Sequence, residues 1–470
     1  MDSNQNCGSG LFQIRKSQNC FRVALGFQFG HAVIFCPNTL GHSSEAGGHT
    51  FRDASWTRRQ LPASSPDPYH SRLGVAMSAV TPEILTWARE TAGLSLEDAA
   101  RIIGLKESRG ESGAARLAGI EASGDLPRPL LLKMTKAYRR QLLIFYLSHP
   151  PKTGDRGQDF RTLPSKDHYN PELDALIRDI KSRQGLVRST LEDEEAENLA
   201  FIGSATMDVP VVVLATRIAE DVKFSLGAFR AEKNGDDAFG YLRSQIETAG
   251  IFVLLLGNLG SYHTNIPLEI FRGFAVADAL APMVVINDQD AKTAWSFTAL
   301  HELAHLWLGS TGVSGGDPAI QIEQYCNDVA GEVLLPNAEL KDFPKTESFD
   351  NTAAAISAFA RERRVGRSMV AYKLYRVGSI AKPMWVTLSE HFRKEWLDTK
   401  QQLAEKQRET EGGPSYYVVR RHRVGDALLG LMRRALDEGA ITYTKAGRVL
   451  GVKPTNVEPL LAAGSTRGIR

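Results

Sequence analysis

Apolar positions recur at the spacing of an α-helix in a segment that begins near residue 81. Thr81 is a favoured N-cap residue, and Pro82 suits the first turn of a helix. Ser95 predicts the start of a second helix, because two acidic residues in the turn that follows favour the positive end of its dipole. The same periodicity predicts further helices over residues 114–122 and 130–145. The segment therefore predicts a bundle of four short helices.

A second pattern appears in the middle of the chain, where helical and strand-like stretches alternate from residue 241. Residues 251–256 and 283–286 are short apolar runs followed by Gly, Asn or Asp, which is typical of buried strands. Residues after Pro336 again have helical periodicity. The pattern predicts a protein that is mainly α with a small α+β part.

The first 76 residues differ from the rest of the chain. They are rich in Gly, Ser, Asn, His and Gln and show no sustained helical or strand period. Two interpretations stay open: the segment is a disordered tail, or it is a non-native extension and Met77 is the natural start. On either interpretation, a chain that begins at Met77 is expected to fold like the full chain.

Composition narrows the class of protein. The chain has 470 residues, of which 43% are hydrophobic and 23% are charged, so two or three ordinary globular domains are expected. Three of the four cysteines lie in the first 36 residues and none forms a CxxC pair, which favours a reducing compartment. No apolar run is long enough to cross a membrane, and the N-terminus lacks the order of a signal peptide. We therefore expect a cytoplasmic protein with no membrane partner.

His301 and His305 lie four residues apart in a segment of helical periodicity that Gly309 ends. This spacing places both imidazole rings on one helix face, about one turn apart, where they can bind the same zinc ion. Glu302 stands beside the first histidine, too displaced to bind the metal easily but positioned to accept a proton from an attacking water. The motif indicates a zinc peptidase with Glu302 as general base; two histidines in an ordinary helix are the alternative.

A catalytic zinc site needs a third protein ligand and an open position for water. Five residues downstream carry side chains that could bind: Asp317, Glu323, Cys326, Glu332 and Glu339. We favour Glu323, because residues 322–335 predict a helix that Pro336 ends and that can pack against the metal helix. Cys326 is better explained as a small buried residue.

This part of the chain resembles the ImmA/IrrE family of metallopeptidases. The resemblance rests on residues 297–305 (FTALHELAH), 323–330 (EQYCNDVA) and 334–336 (LLP), and it extends back to residue 251. It implies an α+β zincin-like domain of the kind that cleaves a DNA-bound repressor and thereby activates transcription.

The resemblance also implies a role for each residue of the site. His301, His305 and Glu323 match the zinc ligands of the family, and Glu302 matches its general base. Zinc is accordingly the expected cofactor.

The N-terminal helices resemble the XRE-type helix-turn-helix domains that are often fused to such peptidases. The matching segments are residues 93–100, 104–105 and 117–121, and the insertion 106–113 before the third helix is longer than the usual tight turn. Arg109 and Arg116 are the expected DNA contacts. A small helical bundle that binds a partner protein instead of DNA is the alternative.

Charge supports DNA binding only locally. The formal net charge of the whole chain is +2, and residues 77–150 carry ten Lys or Arg against eight Asp or Glu. The last segment is more basic, because residues 411–470 carry ten Lys or Arg against five Asp or Glu. Within it, residues 444–452 have helix-turn-helix spacing, and a third helix is expected over 453–460.

These patterns divide the chain into five expected parts: the extension 1–76, the helix-turn-helix domain 77–150, a helical connector 151–230, the metallopeptidase domain 231–400, and a basic, helix-turn-helix-like helical region 401–470. The expected protein is a regulator that binds operator DNA and cleaves a partner protein, either a repressor or an antitoxin. The alternative is a DNA-binding regulator whose metallopeptidase-like domain senses a ligand or partner and cleaves nothing.

Overall fold

The computed structural model describes residues 80–151, 170–309, 318–346, 348–409 and 415–463. The expectations for residues 1–76 therefore lie outside the described part of the chain.

Four short helices form the first part of the described chain: α1 (Pro82–Glu90), α2 (Leu96–Ile103), α3 (Gly113–Ser123) and α4 (Arg128–Ala137). Ser95 caps α2, since its hydroxyl accepts a hydrogen bond from the Asp98 backbone N–H at 3.1 Å. The prediction that the fourth helix continues to residue 145 is wrong. The helix ends at Ala137 because Arg139 has a left-handed backbone (φ 51°), and a 3-10 turn follows at Leu142–Tyr146.

The four helices enclose their own small core. Its fully buried members come from every helix and from the following turn: Ile84, Leu85, Ala88, Ala99, Leu117, Leu131, Met134, Tyr138 and Phe145. Beside this core, Arg89 on α1 donates to both carboxylate oxygens of Glu121 on α3, at 2.8 and 3.1 Å. The ion pair holds α1 to α3. It also provides hydrogen-bond donors and a compensating charge for the buried carboxylate of Glu121.

Helices α5 to α8 lead to a three-stranded sheet. The helices are α5 (Pro171–Asp193), α6 (Val211–Asp221), α7 (Leu226–Ala231) and α8 (Gly235–Thr248), and the strands are β1 (Phe252–Leu255), β2 (Gly273–Val276) and β3 (Met283–Ile286). The strand order is β1-β3-β2, with β1 parallel and β2 antiparallel to β3. Strands β1 and β3 confirm the two predicted strands, whereas the edge strand β2 was not predicted.

The remainder is helical, as expected: α9 (Lys292–Leu308), α10 (Pro318–Leu334), α11 (Phe349–Glu362), α12 (Arg367–Arg376), α13 (Lys382–Glu409), α14 (Tyr416–Val424), α15 (Asp426–Asp437), α16 (Tyr443–Leu450) and α17 (Val457–Ala462). The architecture is thus mainly α with one small sheet. Within the described ranges, no helix combines the length and the apolar character that crossing a bilayer requires.

The sheet separates two hydrophobic cores. Val253, Leu255 and Val284 point into a large core with α6 to α13, whereas Phe252 and Leu254 point into a second core with α5 and α14 to α17. Because both faces are covered, β1 and β3 read as continuous apolar runs rather than as alternating patterns. Each core contains side chains from parts of the chain that precede and follow an expected domain boundary, at residue 230 in the large core and at residue 400 in the second. The domain boundaries at those residues stay a prediction.

A buried arginine attaches the C-terminal helices to α8. Arg243 donates to the Glu247 carboxylate at 2.8 Å and to the Val253 backbone carbonyl. Glu247 in turn accepts hydrogen bonds from the backbone N–H groups of Asp426 and Ala427, both at 3.0 Å, and so caps α15. Burial raises the pKa of the Glu247 carboxyl, while Arg243 and the helix N-terminus oppose that shift.

Candidate metal centre

Helix α9 carries the paired histidines and is buried along most of its length. Its residues from Trp295 to Trp307 are almost all inaccessible to solvent, because the sheet, α8 and α10 surround it. Gly309 ends it in a left-handed conformation (φ 54°) and packs directly on Gly203, where any larger residue would collide with the facing backbone. Trp307 donates its indole N–H to Asp221 on α6 at 3.0 Å. These contacts fix the position of the helix.

The structure brings the three residues expected to bind zinc together. The ring centroids of His301 and His305 are 5.0 Å apart on one face of α9. Glu323 on α10 faces both rings, with its carboxylate oxygens 3.4 Å from His301 Nε2 and 3.8 Å from His305 Nε2. One ligand atom from each residue lies within 4.8 Å of the others. Helix α10 begins earlier than predicted, at Pro318, and ends before Pro336 as predicted.

The chemistry and the burial of these side chains fit a zinc ion. Two imidazole nitrogens and one carboxylate oxygen are a common protein ligand set for catalytic zinc, which keeps a further position open. His301 and His305 are 6% and 8% exposed, whereas the Glu323 side chain is 33% exposed. The cluster of His301, His305 and Glu323 is therefore shielded from solvent on the side of α9 and accessible to solvent on the side of α10.

Of the other four candidates for the third ligand, three lie away from the histidines and one lies outside the described residues. Glu332 forms an ion pair with a buried lysine at 2.9 Å, and Glu339 pairs with two arginines at 2.9 and 3.1 Å. Cys326 is buried in the large core, as its residue type suggested. Asp317 lies outside the described residues. Of the candidates that the structure describes, Glu323 alone belongs to the histidine cluster.

Glu302 lies between α9 and the edge strand β2. It is 1% exposed, and its Oε1 would be 3.0 Å from a methyl group placed on Gly273. The same methyl group would lie 2.5 Å from Thr298 Cγ2 and 3.1 Å from the Val285 carbonyl oxygen. Gly273 is thus what allows the strand to approach the helix so closely. Sequence reasoning missed this residue, and the only signal was a glycine ahead of a short apolar stretch.

Residues 260–375 match the family model of a peptidase family, described as the IrrE N-terminal-like domain. The matched range contains β2, β3, α9 and α10, and therefore the whole histidine–glutamate cluster. No curated protein and no solved structure matches the chain. The match supports the resemblance to the ImmA/IrrE family and indicates a metallopeptidase-type domain. Helices α1 to α4 and α14 to α17 lie outside the matched range.

The structure places both expected DNA contacts beside the insertion in the N-terminal bundle. The insertion forms a small turn closed by two backbone hydrogen bonds between Ser108 and Glu111, each of 3.1 Å. Arg109 lies exposed in this turn with a left-handed backbone (φ 55°). Arg116 on α3 donates to the Lys106 carbonyl at 2.6 Å, so it also anchors the turn. The roles of Arg109 and Arg116 in DNA binding stay predictions.

Proposed function

We propose that this chain is a zinc-dependent endopeptidase that regulates transcription by cleaving a partner protein, a repressor or an antitoxin. The observation that carries the proposal is the cluster of His301, His305 and Glu323 with the buried Glu302 beside it. A metal site that serves structure alone needs no general base, and it usually has four protein ligands rather than three.

His301, His305 and Glu323 would hold the zinc ion. When bound, zinc supplies Lewis acidity, which polarises a scissile carbonyl and makes a water molecule a better nucleophile near neutral pH. The carboxylate of Glu302 would take the proton from the attacking water and deliver it to the leaving amine. The contact with Gly273 holds Glu302 in position and excludes bulk water from one side of it.

The position of β2 supports a polypeptide substrate. This strand is at the edge of the sheet, and an edge strand can pair with an added extended segment through backbone hydrogen bonds. A segment held beside β2 would lie next to the strand that packs against Glu302. The arrangement therefore favours a protein substrate over a small molecule.

We further propose that helices α1 to α4 bind operator DNA through Arg109 and Arg116. Support comes from the order and caps of α2 and α3 and from the exposed position of Arg109. Arg109→Ala is expected to weaken binding to operator DNA in a gel-shift assay, while Lys341→Ala, which removes a charge from another part of the chain, leaves it unchanged. Equal affinity of both variants for the operator would refute a role for Arg109.

The peptidase proposal is tested by two substitutions in the site. Glu323→Ala is expected to lose most of the zinc, because two protein ligands rarely suffice. Glu302→Gln is expected to keep about one zinc per chain but to lose cleavage of the partner protein by about a hundredfold or more. Elemental analysis and cleavage of the partner protein provide the measurements, with Glu390→Gln on the exposed face of α13 as control.

Two outcomes would contradict the assignment. Full zinc occupancy in Glu323→Ala would show that the third ligand is wrong. Normal derepression of the target promoter by Glu302→Gln, with the partner protein intact, would replace the peptidase with a sensor that cleaves nothing.

A further inference from the structure

Two buried arginines meet at one glycine on the opposite side of the sheet from the metal centre. Arg183 on α5 and Arg420 on α14 are each 8% exposed. A methyl group placed on Gly451, after α16, would lie 2.7 and 2.9 Å from the two terminal nitrogens of Arg183 and in collision with Arg420 Nη2. Both guanidinium groups therefore reach the same point, and only a glycine at 451 leaves room for them.

The positive charge at this point is incompletely balanced. Arg183 donates from Nη2 to Asp179 at 2.5 Å, but its Nε and Nη1 have no hydrogen-bond partner among the residues that the structure describes. The Asp179 side chain is itself 47% exposed. Arg420 donates from Nε and Nη2 to the Leu450 carbonyl, at 3.0 and 2.6 Å, which is a neutral acceptor. Two buried cations thus share one partly exposed carboxylate.

The pKa of Arg420 agrees with this geometry. Burial lowers the pKa to about 10, and the neighbouring positive charge of Arg183 lowers it in the same sense. A buried charge that is not fully paired destabilises a fold, and a bound anion would offset that cost.

An open cavity of about 610 Å³ is lined by Arg183 and by Gly451, the glycine that both arginines approach. Its lining includes two further cationic side chains, Arg448 and Lys453, the polar side chain of Asn456, and the carboxylate of Asp179 that pairs with Arg183. The volume is in the range of cavities that hold small organic ligands. The cavity combines one buried guanidinium group, exposed cations at the rim, one carboxylate and a neutral hydrogen-bonding side chain.

We propose that this cavity binds a small molecule that carries a phosphate group, with Arg183 as the buried phosphate ligand and Arg448 and Lys453 as further ligands at the rim. Guanidinium groups form paired hydrogen bonds to phosphate oxygens, and two of them can surround one phosphate. The burial of Arg183 favours a small ligand over the backbone of duplex DNA, whose phosphates contact exposed side chains. The proposal does not depend on the peptidase activity.

The test is a calorimetric titration of the full chain with inorganic phosphate in chloride buffer. Saturable binding is expected in the unaltered protein, and it should be at least about tenfold weaker in Arg183→Met because charged hydrogen bonds are lost. Lys453→Gln at the exposed rim should weaken binding severalfold. Lys445→Gln is the matched control, because it removes the same charge from α16 outside the cavity.

A second measurement separates a binding role from a structural one. Without phosphate, Arg183→Met should unfold at a temperature no lower than the unaltered protein, since a buried repulsion is removed. With phosphate, only the unaltered protein and the control should gain thermal stability. If Arg420→Met fails to fold because the Leu450 carbonyl loses its donor, Arg183→Met and Lys453→Gln still decide the question.

Three results would overturn the proposal. The first is no saturable phosphate binding at millimolar concentrations, and the second is equal binding in Arg183→Met. The third is duplex DNA that binds and loses affinity in Arg183→Met while phosphate alone does not bind, which would assign the cavity to a nucleic acid.

Discussion

Replacing Gly273 by alanine adds one methyl group between the edge strand and the metal helix. That group would lie 2.5 Å from Thr298 Cγ2, 3.0 Å from Glu302 Oε1 and 3.1 Å from the Val285 carbonyl oxygen. The carbonyl belongs to the backbone of the paired strand β3 and cannot move independently. The strand or the helix must therefore shift by a few tenths of an ångström, and Glu302 with it.

The size of the effect follows from two opposing contributions. Overpacking of a buried contact costs about 1–3 kcal/mol. Alanine is favoured over glycine within a strand by about 0.5–1 kcal/mol, because the unfolded chain has less freedom to lose. The expected net loss is about 1–2 kcal/mol of unfolding free energy, or about 2–4 °C in the midpoint for each kcal/mol. Thermal unfolding followed by circular dichroism measures it.

Gly273→Ala is expected to affect zinc binding and cleavage differently, and each can be measured separately. The three atoms nearest to the added group belong to Thr298, Glu302 and Val285 and to none of the expected zinc ligands, so zinc binding should be unchanged. Cleavage of the partner protein should fall, by up to about a hundredfold, because Glu302, the proposed general base, is displaced.

The matched control is Gly240→Ala on the exposed face of α8, where an added methyl group meets nothing within 4 Å. It should raise the unfolding free energy by about 0.5–1 kcal/mol, since glycine is unfavourable within a helix. If Gly273→Ala unfolds at the same midpoint as Gly240→Ala, the close contact between β2 and α9 does not exist.

Three further predictions concern stability. Glu121→Ala leaves the mostly buried Arg89 without its carboxylate. Denaturation with guanidinium chloride should therefore show that the unfolding free energy of the N-terminal bundle falls by about 3–5 kcal/mol, with zinc content unchanged. Burial raises the pKa of Asp278, but two backbone N–H donors and an arginine outweigh it and hold the pKa below 3.8. The stabilisation is therefore present above the ordinary pKa of an aspartate and is lost as the pH falls through the lower pKa of the folded state. The advantage of the unaltered protein over Asp278→Asn should therefore shrink as the pH is lowered below that ordinary value. Trp307→Phe removes the hydrogen bond to Asp221 and should cost about 1–3 kcal/mol, and an unchanged denaturation midpoint would refute that contribution.

The parts of the fold that sequence reasoning predicted are those with a strong local signal. Strands β1 and β3 are apolar on both faces, and α9 has two histidines at one-turn spacing and a glycine at its end. Glu323 could be chosen from five candidates because proline ended its helix. Each of these signals lies within about 20 residues of chain.

The features that were missed depend on residues far apart in the chain. Strand β2 has only four residues, one of them glycine, and is defined by pairing with β3. The role of Gly273 depends on the approach of α9, and Arg183 and Arg420 are brought together by separate helices. No spacing rule connects such residues, because tertiary packing alone determines that they meet.

The arrangement of the sheet between two cores also sets an order of events during synthesis. Helix α9 follows β3 directly and can cover one face at once, whereas α14 to α17 on the other face are the last described helices to be made. Phe252, Leu254 and Met283 therefore remain incompletely covered until α14 to α17 emerge from the ribosome. A chain that stops before residue 415 would present apolar strands to chaperones and proteases. Translation of α14 to α17 therefore decides whether the candidate metal centre is supported by a complete fold.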